Sequence, residues 1–203
     1  TVTVRVEGWR LETFEEVLFY REGIACTGMR QLETRPHAHH GGPMGAEPGR
    51  AIELDFEIAP DAPLGEYQLR LRTQTKLSEM MRFWVTPYPV VEEEHPFADR
   101  DGARNDTPEH AQTIPFGSTI SGICTSNESA NDWDVYRVTL EKGQHCTCQM
   151  LNARLGTVHG GGLTDMAIEV RAPSGKRVAR NSRSALFAHD PVLSFTAPEA
   201  GDY

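Results

Sequence analysis

Residues 105–108 read Asn-Asp-Thr-Pro, residues 117–122 read Gly-Ser-Thr-Ile-Ser-Gly, and residues 132–136 read Asp-Trp-Asp-Val-Tyr. Residues 197–203 end the series with Ala-Pro-Glu-Ala-Gly-Asp-Tyr. Pro, Gly, Asn and Asp are the residues that tight turns favour. Short strands separated by such turns predict an antiparallel β-sandwich or jelly roll in this half of the chain.

The segments between these turns place apolar side chains at every second position. In a strand, alternate side chains leave on the same face, so this pattern predicts strands with one buried face. The apolar sets are Tyr136, Val138 and Leu140; Cys146, Cys148 and Met150; Met166, Ile168 and Val170; and Leu193 with Phe195.

Residues 1–88 show the same alternation and predict a second all-β unit, an immunoglobulin-like sandwich. The apolar sets here are Val2, Val4 and Val6; Ile52, Leu54, Phe56 and Ile58; Tyr67, Leu69 and Leu71; and Met81, Phe83 and Val85. Residues 14–20 fit either a helix or a buried strand. Residues 35–50 are rich in His, Gly and Pro and predict a surface loop.

An acidic, proline-bearing segment separates the two halves. We predict a linker over residues 89–104, between domains at 1–88 and 105–203, because proline stiffens a segment and like charges extend it. Residues 89–111 hold two Lys/Arg and seven Asp/Glu. This acidic region is interpreted either as a solvated hinge or as a divalent-cation site at the domain junction.

The composition excludes several classes of function. A net charge of −9 without a basic cluster argues against nucleic acid as a partner. No apolar run approaches the length of a membrane span. Serine, cysteine and glycine motifs of hydrolases and phosphate loops are absent, which predicts a protein that is not an enzyme. Because Thr1 is not an initiator and Tyr203 looks like the entry to a last strand, we expect a piece of a longer protein.

Residues 103–203 resemble the bacterial pre-peptidase C-terminal (PPC) domain. The resemblance is carried by Asn105-Asp106-Thr107-Pro108 with Ala111-Gln112, by the Gly117 to Gly122 strand, by Asp132, Asp134 and Tyr136, and by Asp190, Pro191 and Leu193 with the Ala197 to Tyr203 ending. It implies a jelly-roll-like sandwich that acts without catalysis in a secreted or periplasmic, cell-envelope protein. The implied partners are a protein or glycan surface and other domains of the same polypeptide.

The first half is similar, more loosely, to the domain that often precedes this one in large secreted proteins of planctomycete-type bacteria. The similar stretches are residues 58–67, Ile-Ala-Pro-Asp-Ala-Pro-Leu-Gly-Glu-Tyr, and residues 83–85, Phe-Trp-Val. This similarity implies fold and context only.

The PPC resemblance also implies a calcium site, because some members hold calcium near this N-terminal segment. The matching ligands are Asn105, Asp106, Asp132 and Asp134, and calcium takes six to eight oxygen ligands. This chain has Ala103-Arg104 where the family has Glu-Pro, so one ligand is lost and a cation is added. The alternative is that the two aspartates only cap a turn.

Histidine and cysteine offer further candidates. His37, His39 and His40 could bind zinc, nickel or copper, which would suit a metal-dependent enzyme, or could belong to a solvated loop. The cysteines either fill the core, form a bridge from Cys124 to Cys146 or Cys148, or bind a metal ion. Cys26 is alone in its domain. Trp133 is interpreted as a core or rim residue or as an exposed aromatic anchor.

The resulting hypothesis is a non-catalytic extracellular module for binding or structure within a larger protein. The alternative is an accessory region of a secreted hydrolase, a peptidase above all, whose catalytic domain lies elsewhere in the polypeptide.

Overall fold

The computed structural model describes residues 1–8, 11–32, 50–94, 105–122, 133–155, 166–185 and 189–203. The chain divides into two compact units, Thr1–Val85 and Thr86–Tyr203. In these described ranges the regular structure consists of β-strands and three short 3-10 helices, which confirms the predicted all-β class. None of the helices found there is long and apolar enough to cross a membrane.

The described residues of the first unit form six strands. They are β1 (Val2–Gly8), β2 (Phe14–Phe19), β3 (Ile24–Leu32), β4 (Arg50–Ile58), β5 (Gly65–Thr73) and β6 (Met81–Val85). They form two three-stranded antiparallel sheets, with strand orders β1-β4-β3 and β2-β5-β6. Residues 14–20, which the sequence left open, thus supply strand β2, and its Val17 pairs with Leu71 of β5.

The core of the first unit draws on both sheets. Ile52, Leu54 and Phe56 of β4 are at most 1% exposed, and Tyr67, Leu69 and Leu71 of β5 are at most 5% exposed. Phe56 meets Phe19 and Phe83 of the other sheet edge-to-face, with ring centroids 5.1 and 5.7 Å apart. The period-two pattern therefore placed the buried face of these strands correctly.

In the described part of the second unit there are ten strands, most of them shorter. They are β7 (Val90–Glu92), β8 (Gln112–Thr113), β9 (Thr119–Ser121), β10 (Tyr136–Arg137), β11 (Thr139–Leu140), β12 (His145–Gln149), β13 (Ile168–Arg171), β14 (Arg177–Asn181), β15 (Val192–Thr196) and β16 (Gly201–Asp202). The pairs β11-β16, β12-β15 and β13-β14 are antiparallel, as predicted.

The pairs β7-β9 and β8-β10 are parallel, which the sequence did not predict. Parallel partners need a long connection, and in each of these pairs a long stretch of chain separates the two strands. The turn signals at residues 105–108 and 117–122 therefore lie between parallel partners in the chain. This finding corrects the wholly antiparallel arrangement expected for residues 105–203.

The apolar core of the second unit lies around β12 and β15. Its buried members are Leu140, Cys146, Leu193, Phe195 and Ala197. Val138, Cys148, Ile168 and Val170 pack against it, as their alternation predicts. Tyr136, which shares the parity of Val138, is half-buried and faces a polar cluster described below.

The boundary between the units lies at residues 85 and 86, close to the predicted domain end at 88. The described part of the predicted linker, residues 89–94, contains β7, whose Val91 pairs with Ile120 of β9. These residues therefore belong to the second unit. Residues 35–49 of the predicted loop and 95–104 of the predicted linker lie outside the described residues, and Arg50 is the first residue of β4.

Candidate functional site

A buried polar cluster lies in the second unit where β7, β8 and β10 come together. We call it the Glu93 cluster; its members are Glu93, Asn105, Gln112 and Tyr136. Glu93, Asn105 and Gln112 are only 7%, 5% and 6% exposed. Buried polar groups cost free energy unless they are hydrogen-bonded, so such a cluster must be satisfied from within or by a ligand.

Gln112 ties this cluster to the backbone of β7. Its side-chain Nε2 donates to the carbonyl of Glu92 at 2.9 Å, and its Oε1 accepts from the backbone N–H of Glu94 at 3.0 Å. The side-chain amide of Gln112 thus makes the two hydrogen bonds that a neighbouring strand would make to the backbone of residues 92 and 94. The backbone N–H of Glu93 donates to the carbonyl of Ser121 at 2.9 Å, so the position of Glu93 is fixed from two directions.

Asn105 connects Glu93 to the segment that precedes β10. Its Nδ2 donates to Glu93 Oε1 at 3.4 Å, a long hydrogen bond. Its carbonyl accepts from the backbone N–H of Val135 at 2.7 Å. The Val135 carbonyl in turn accepts from the backbone N–H of Gln112 at 3.0 Å. A short backbone network therefore brings the Asn105 and Asp134 segments of the sequence together.

The electrostatics of the cluster keep the Tyr136 phenol protonated. Burial raises the pKa of Tyr136 well above its ordinary value, and the negative charges of Glu93 and Asp134 raise it further. A hydrogen bond with Asn105 opposes the shift, whereas one with Glu93 adds to it. Tyr136 is thus a hydrogen-bond donor in this site at physiological pH and does not act as a phenolate.

The cluster has the chemistry of a cation-binding or structural site. It offers carboxylate and amide oxygens, which are donors that hard cations such as calcium prefer. It contains no Ser or Cys nucleophile. Among the described residues, no group of three or more His, Cys, Asp or Glu side chains is gathered where it could hold a metal ion.

The predicted calcium ligands divide into three groups. Asn105 and Asp134 come close to Tyr136, whose pKa both of them affect. Asp106 is exposed, and no contact places it in the cluster. Asp132 lies outside the described residues. The prediction omitted Glu93, which the structure places at the centre.

Glu93 and Gln112 were missed for different reasons. Glu93 is the middle of an acidic triplet, which suggested solvent, but its parity is that of Val91, and alternate residues of a strand share a face. Glu92 and Glu94 are indeed exposed while Glu93 is buried. That parity could have identified Glu93. No local signal could have identified Gln112, because its bonds join segments about twenty residues apart.

The other candidates are placed as follows. His37, His39, His40 and Cys124 lie outside the described residues. Cys26, Cys146 and Cys148 are free thiols, and Cys26 donates to the carbonyl of Gly28 at 3.4 Å. Burial raises the pKa of Cys26 above its ordinary value. Trp133 is 54% exposed beside Asp134, so it is not a core residue.

A second buried carboxylate, Asp190, serves the fold. It is fully buried and accepts from the backbone N–H groups of Asn152, Ala153 and Arg154 at 2.9, 2.8 and 3.2 Å, and from Arg154 Nε at 2.7 Å. These donors lie at the 3-10 helix Ala153–Leu155. Every donor has a clear structural role, so Asp190 is a structural anchor for this helix.

No protein-family model, curated protein or solved structure matches this chain. The PPC and immunoglobulin-like resemblances therefore rest on the motifs quoted above. The structure adds the all-β, sandwich-like architecture and the geometry of the Glu93 cluster.

Proposed function

We propose that this chain is a non-catalytic binding or structural module of a larger secreted or cell-envelope protein, and that calcium stabilises its second unit. The observation that carries this proposal is the Glu93 cluster. It is a buried, oxygen-rich site inside an all-β unit, in the segment where the PPC resemblance implies calcium.

The argument for calcium begins with the burial of Glu93. Removing a carboxylate from water is costly, and hydrogen bonds from the Asn105 amide and the Tyr136 phenol satisfy its oxygens without neutralising its charge. A cation beside the carboxylate would offset it directly. Asp134 and Asn105, which both act on Tyr136 of the cluster, could add further oxygens.

The argument for a binding role rests on exposed aromatic side chains. In the second unit Tyr88, Phe116 and Trp133 are 55%, 49% and 54% exposed. Aromatic residues are enriched where proteins contact protein surfaces, because they bury a large area at low entropic cost. We therefore propose a protein or glycan surface as the partner, with the other domains of the same polypeptide.

The PPC-like motifs of residues 105–203 also favour a second candidate. Since that domain is named for its place beside peptidases, the chain would then be an accessory region of a secreted hydrolase. The neighbouring sequence separates the two candidates: a protease motif favours the accessory role, and further β-modules favour a structural one.

The calcium proposal is tested by calorimetric titration and by thermal unfolding of the full chain with and without calcium. Extracellular calcium modules bind with a Kd of roughly 0.1–1 mM. At about 100-fold excess over Kd, ligand binding adds about 2.7 kcal/mol to the free energy of unfolding. We expect 10 mM calcium to raise the melting temperature of the wild type, and magnesium to raise it less.

The matched variants are Glu93→Gln and Glu94→Gln. They change neighbouring residues in the same way, but only Glu93 is buried in the cluster. We expect Glu93→Gln to abolish the calcium response and Glu94→Gln to retain it. A melting temperature that is unchanged in 10 mM calcium would refute the site, and an equal loss in both variants would assign the response to general surface charge.

A further inference from the structure

Cys146 and Cys148 lie on one face of β12 with their sulfurs 3.9 Å apart. Cys146 is 7% exposed and Cys148 is half-buried. Both are free thiols, and they lie opposite Phe195 and Leu193 of β15. Two thiols this close within an apolar core form a preorganised pair of soft donor atoms.

The strand geometry opposes a disulfide between the two residues. Alternate residues of a strand lie about 6.6 Å apart, and their Cβ atoms are separated by a similar distance, because both leave the same face. A disulfide needs Cβ atoms about 3.5–4.5 Å apart. Five consecutive residue pairs hold β12 against β15, from His145 with Thr196 to Gln149 with Val192. Closing the bond would therefore distort this ladder.

A bridging ion needs no such distortion. Metal–thiolate bonds of about 2.3 Å let one ion contact two sulfurs that are about 3.8 Å apart at a tetrahedral angle, and up to about 4.6 Å apart when the ion lies on the line between them. The observed 3.9 Å falls inside this range. Small side-chain rotations would open the pair to the linear arrangement.

The type and the number of ligand atoms determine which kind of ion the pair can bind. Thiolates select soft ions such as Cu(I), and two-coordinate binding is common for monovalent ions of this class. Structural zinc takes four ligands, and in the described part of the chain no third His, Cys, Asp or Glu joins the pair.

We propose that Cys146 and Cys148 form a two-sulfur binding site for a soft monovalent metal ion of the Cu(I) type. This site is independent of the calcium proposal, since it uses different residues and a different class of ligand atom. The half-buried Cys148 gives the ion a route to the pair. Binding replaces thiol protons by the metal: each Cys that ligates as thiolate releases one proton to solvent, with no change of oxidation state.

The test is a competition titration of the reduced full chain against a chromogenic Cu(I) chelator in an anaerobic buffer. We expect one ion per chain in the tight site and a higher melting temperature in the loaded protein. Cys146→Ser and Cys148→Ser should each lower the affinity by more than the roughly 10–100-fold that loss of an outer-shell partner costs, because each removes a ligand atom. Cys26→Ser is the matched control and should leave the affinity unchanged.

Cys124→Ser separates a two-sulfur site from a larger one. Retention of the tight ion in this variant supports the pair alone, whereas its loss would overturn the two-sulfur assignment. Binding that is equally weak in the wild type and both pair variants would show that the cysteines only fill the core. Rapid loss of two thiols on mild oxidation, with a new intramolecular disulfide between residues 146 and 148, would also overturn the proposal.

Discussion

The two units differ in the residues that fill their interiors. Among the described residues, the buried core of the first unit has nine members, all apolar or aromatic. Eight lie on strands of five to nine residues, and Leu11 lies in a short 3-10 helix. In the described part of the second unit, four of the five buried core residues lie on strands of two to five residues, and Ala197 directly follows β15. Among the described residues, the buried polar or charged side chains are Glu93, Asn105, Gln112 and Asp190, all in the second unit.

This difference indicates which interactions hold the strands of each unit in position. Long strands bury one continuous apolar face, so the hydrophobic effect alone positions them. Strands of two or three residues bury too little area for this. In the second unit, buried amides and carboxylates hold short segments in place through hydrogen bonds, which are directional and demand correct partners.

Both units contain a tyrosine whose hydroxyl bonds the backbone four residues back, and this allows a direct comparison. Tyr67 donates to the carbonyl of Pro63 at 2.9 Å, and Tyr203 donates to the carbonyl of Glu199 at 2.7 Å. Each tyrosine bonds four residues back, two residues after a glycine with positive φ, 107° at Gly65 and 144° at Gly201. Such tyrosine corners are known in β-sandwiches. Tyr67 is fully buried, whereas Tyr203 is half-buried.

The largest expected effect is the loss of an aromatic side chain between the two sheets of the first unit. Phe56→Ala should lower the free energy of unfolding of that unit by about 3–5 kcal/mol, because it leaves a cavity beside Phe19 and Phe83. Hydrogen exchange of peptides from each unit would measure this effect separately. Tyr20→Ala, at a position 58% exposed, is the control and should change little. A small effect of Phe56→Ala would contradict an apolar core as the main stabilising element.

The corresponding change in the second unit is Asp190→Ala. It removes a fully buried carboxylate and leaves three backbone N–H groups and Arg154 Nε without their acceptor. Leaving such donors buried and breaking a buried ion pair should cost about 3 kcal/mol in the second unit. Asp202→Ala, at an exposed position, is the control. Equal effects of the two variants would show that the Asp190 network is dispensable.

The two corner glycines give a narrower comparison. Gly65 has open space where a Cβ would stand, whereas at Gly201 a Cβ would lie 2.6 Å from Pro173 Cγ. Gly65→Ala should therefore cost only the strain of positive φ, about 1–2 kcal/mol. Gly201→Ala should cost about 1–3 kcal/mol more, because overpacking adds to that strain. Denaturant unfolding of both variants would measure the difference. Equal losses of unfolding free energy would mean that Pro173 moves away from the added Cβ at little cost.

Low pH should destabilise the second unit because it protonates Asp190. Burial alone would raise the pKa of Asp190, but the bond from Arg154 and the three backbone N–H groups outweigh it and hold the pKa below its ordinary value. The unfolded chain thus binds this proton first as the pH falls. The stabilisation is complete above about pH 4 and is lost as the pH falls through the folded pKa, by at most about 1.4 kcal/mol per pH unit.

Unfolding of the wild type and of Asp190→Asn between pH 6 and pH 2.5 would measure this loss. The difference in free energy of unfolding between the two proteins should shrink below pH 4. A difference that stays constant down to pH 2.5 would show that Asp190 does not titrate in this range.

The same contrast explains what the sequence could predict. The faces of β4 and β5 follow from period two alone, because each of these strands is nine residues long. The strand pairs β7-β9 and β8-β10 are too short to show a period, and their parallel pairing was not predicted. Asp190 and Gln112 were noted only as matches to the PPC pattern. Their partners lie 18–38 residues away in the chain, so no local pattern reveals their bonds.

The smallest expected effect separates the two tyrosine corners. Tyr67→Phe and Tyr203→Phe each remove one hydroxyl and keep the ring. Because Tyr67 is fully buried under Arg21, whose Cζ lies 4.9 Å from the ring centre, water cannot replace its hydroxyl, and the loss should be about 1–1.5 kcal/mol. Water can reach the half-buried Tyr203, so its loss should be about 0.5 kcal/mol. Denaturant midpoints for each unit would measure both. A larger loss at Tyr203 would mean that its corner, which also pairs with Val138 through two backbone hydrogen bonds, holds the second unit more firmly than its exposure indicates.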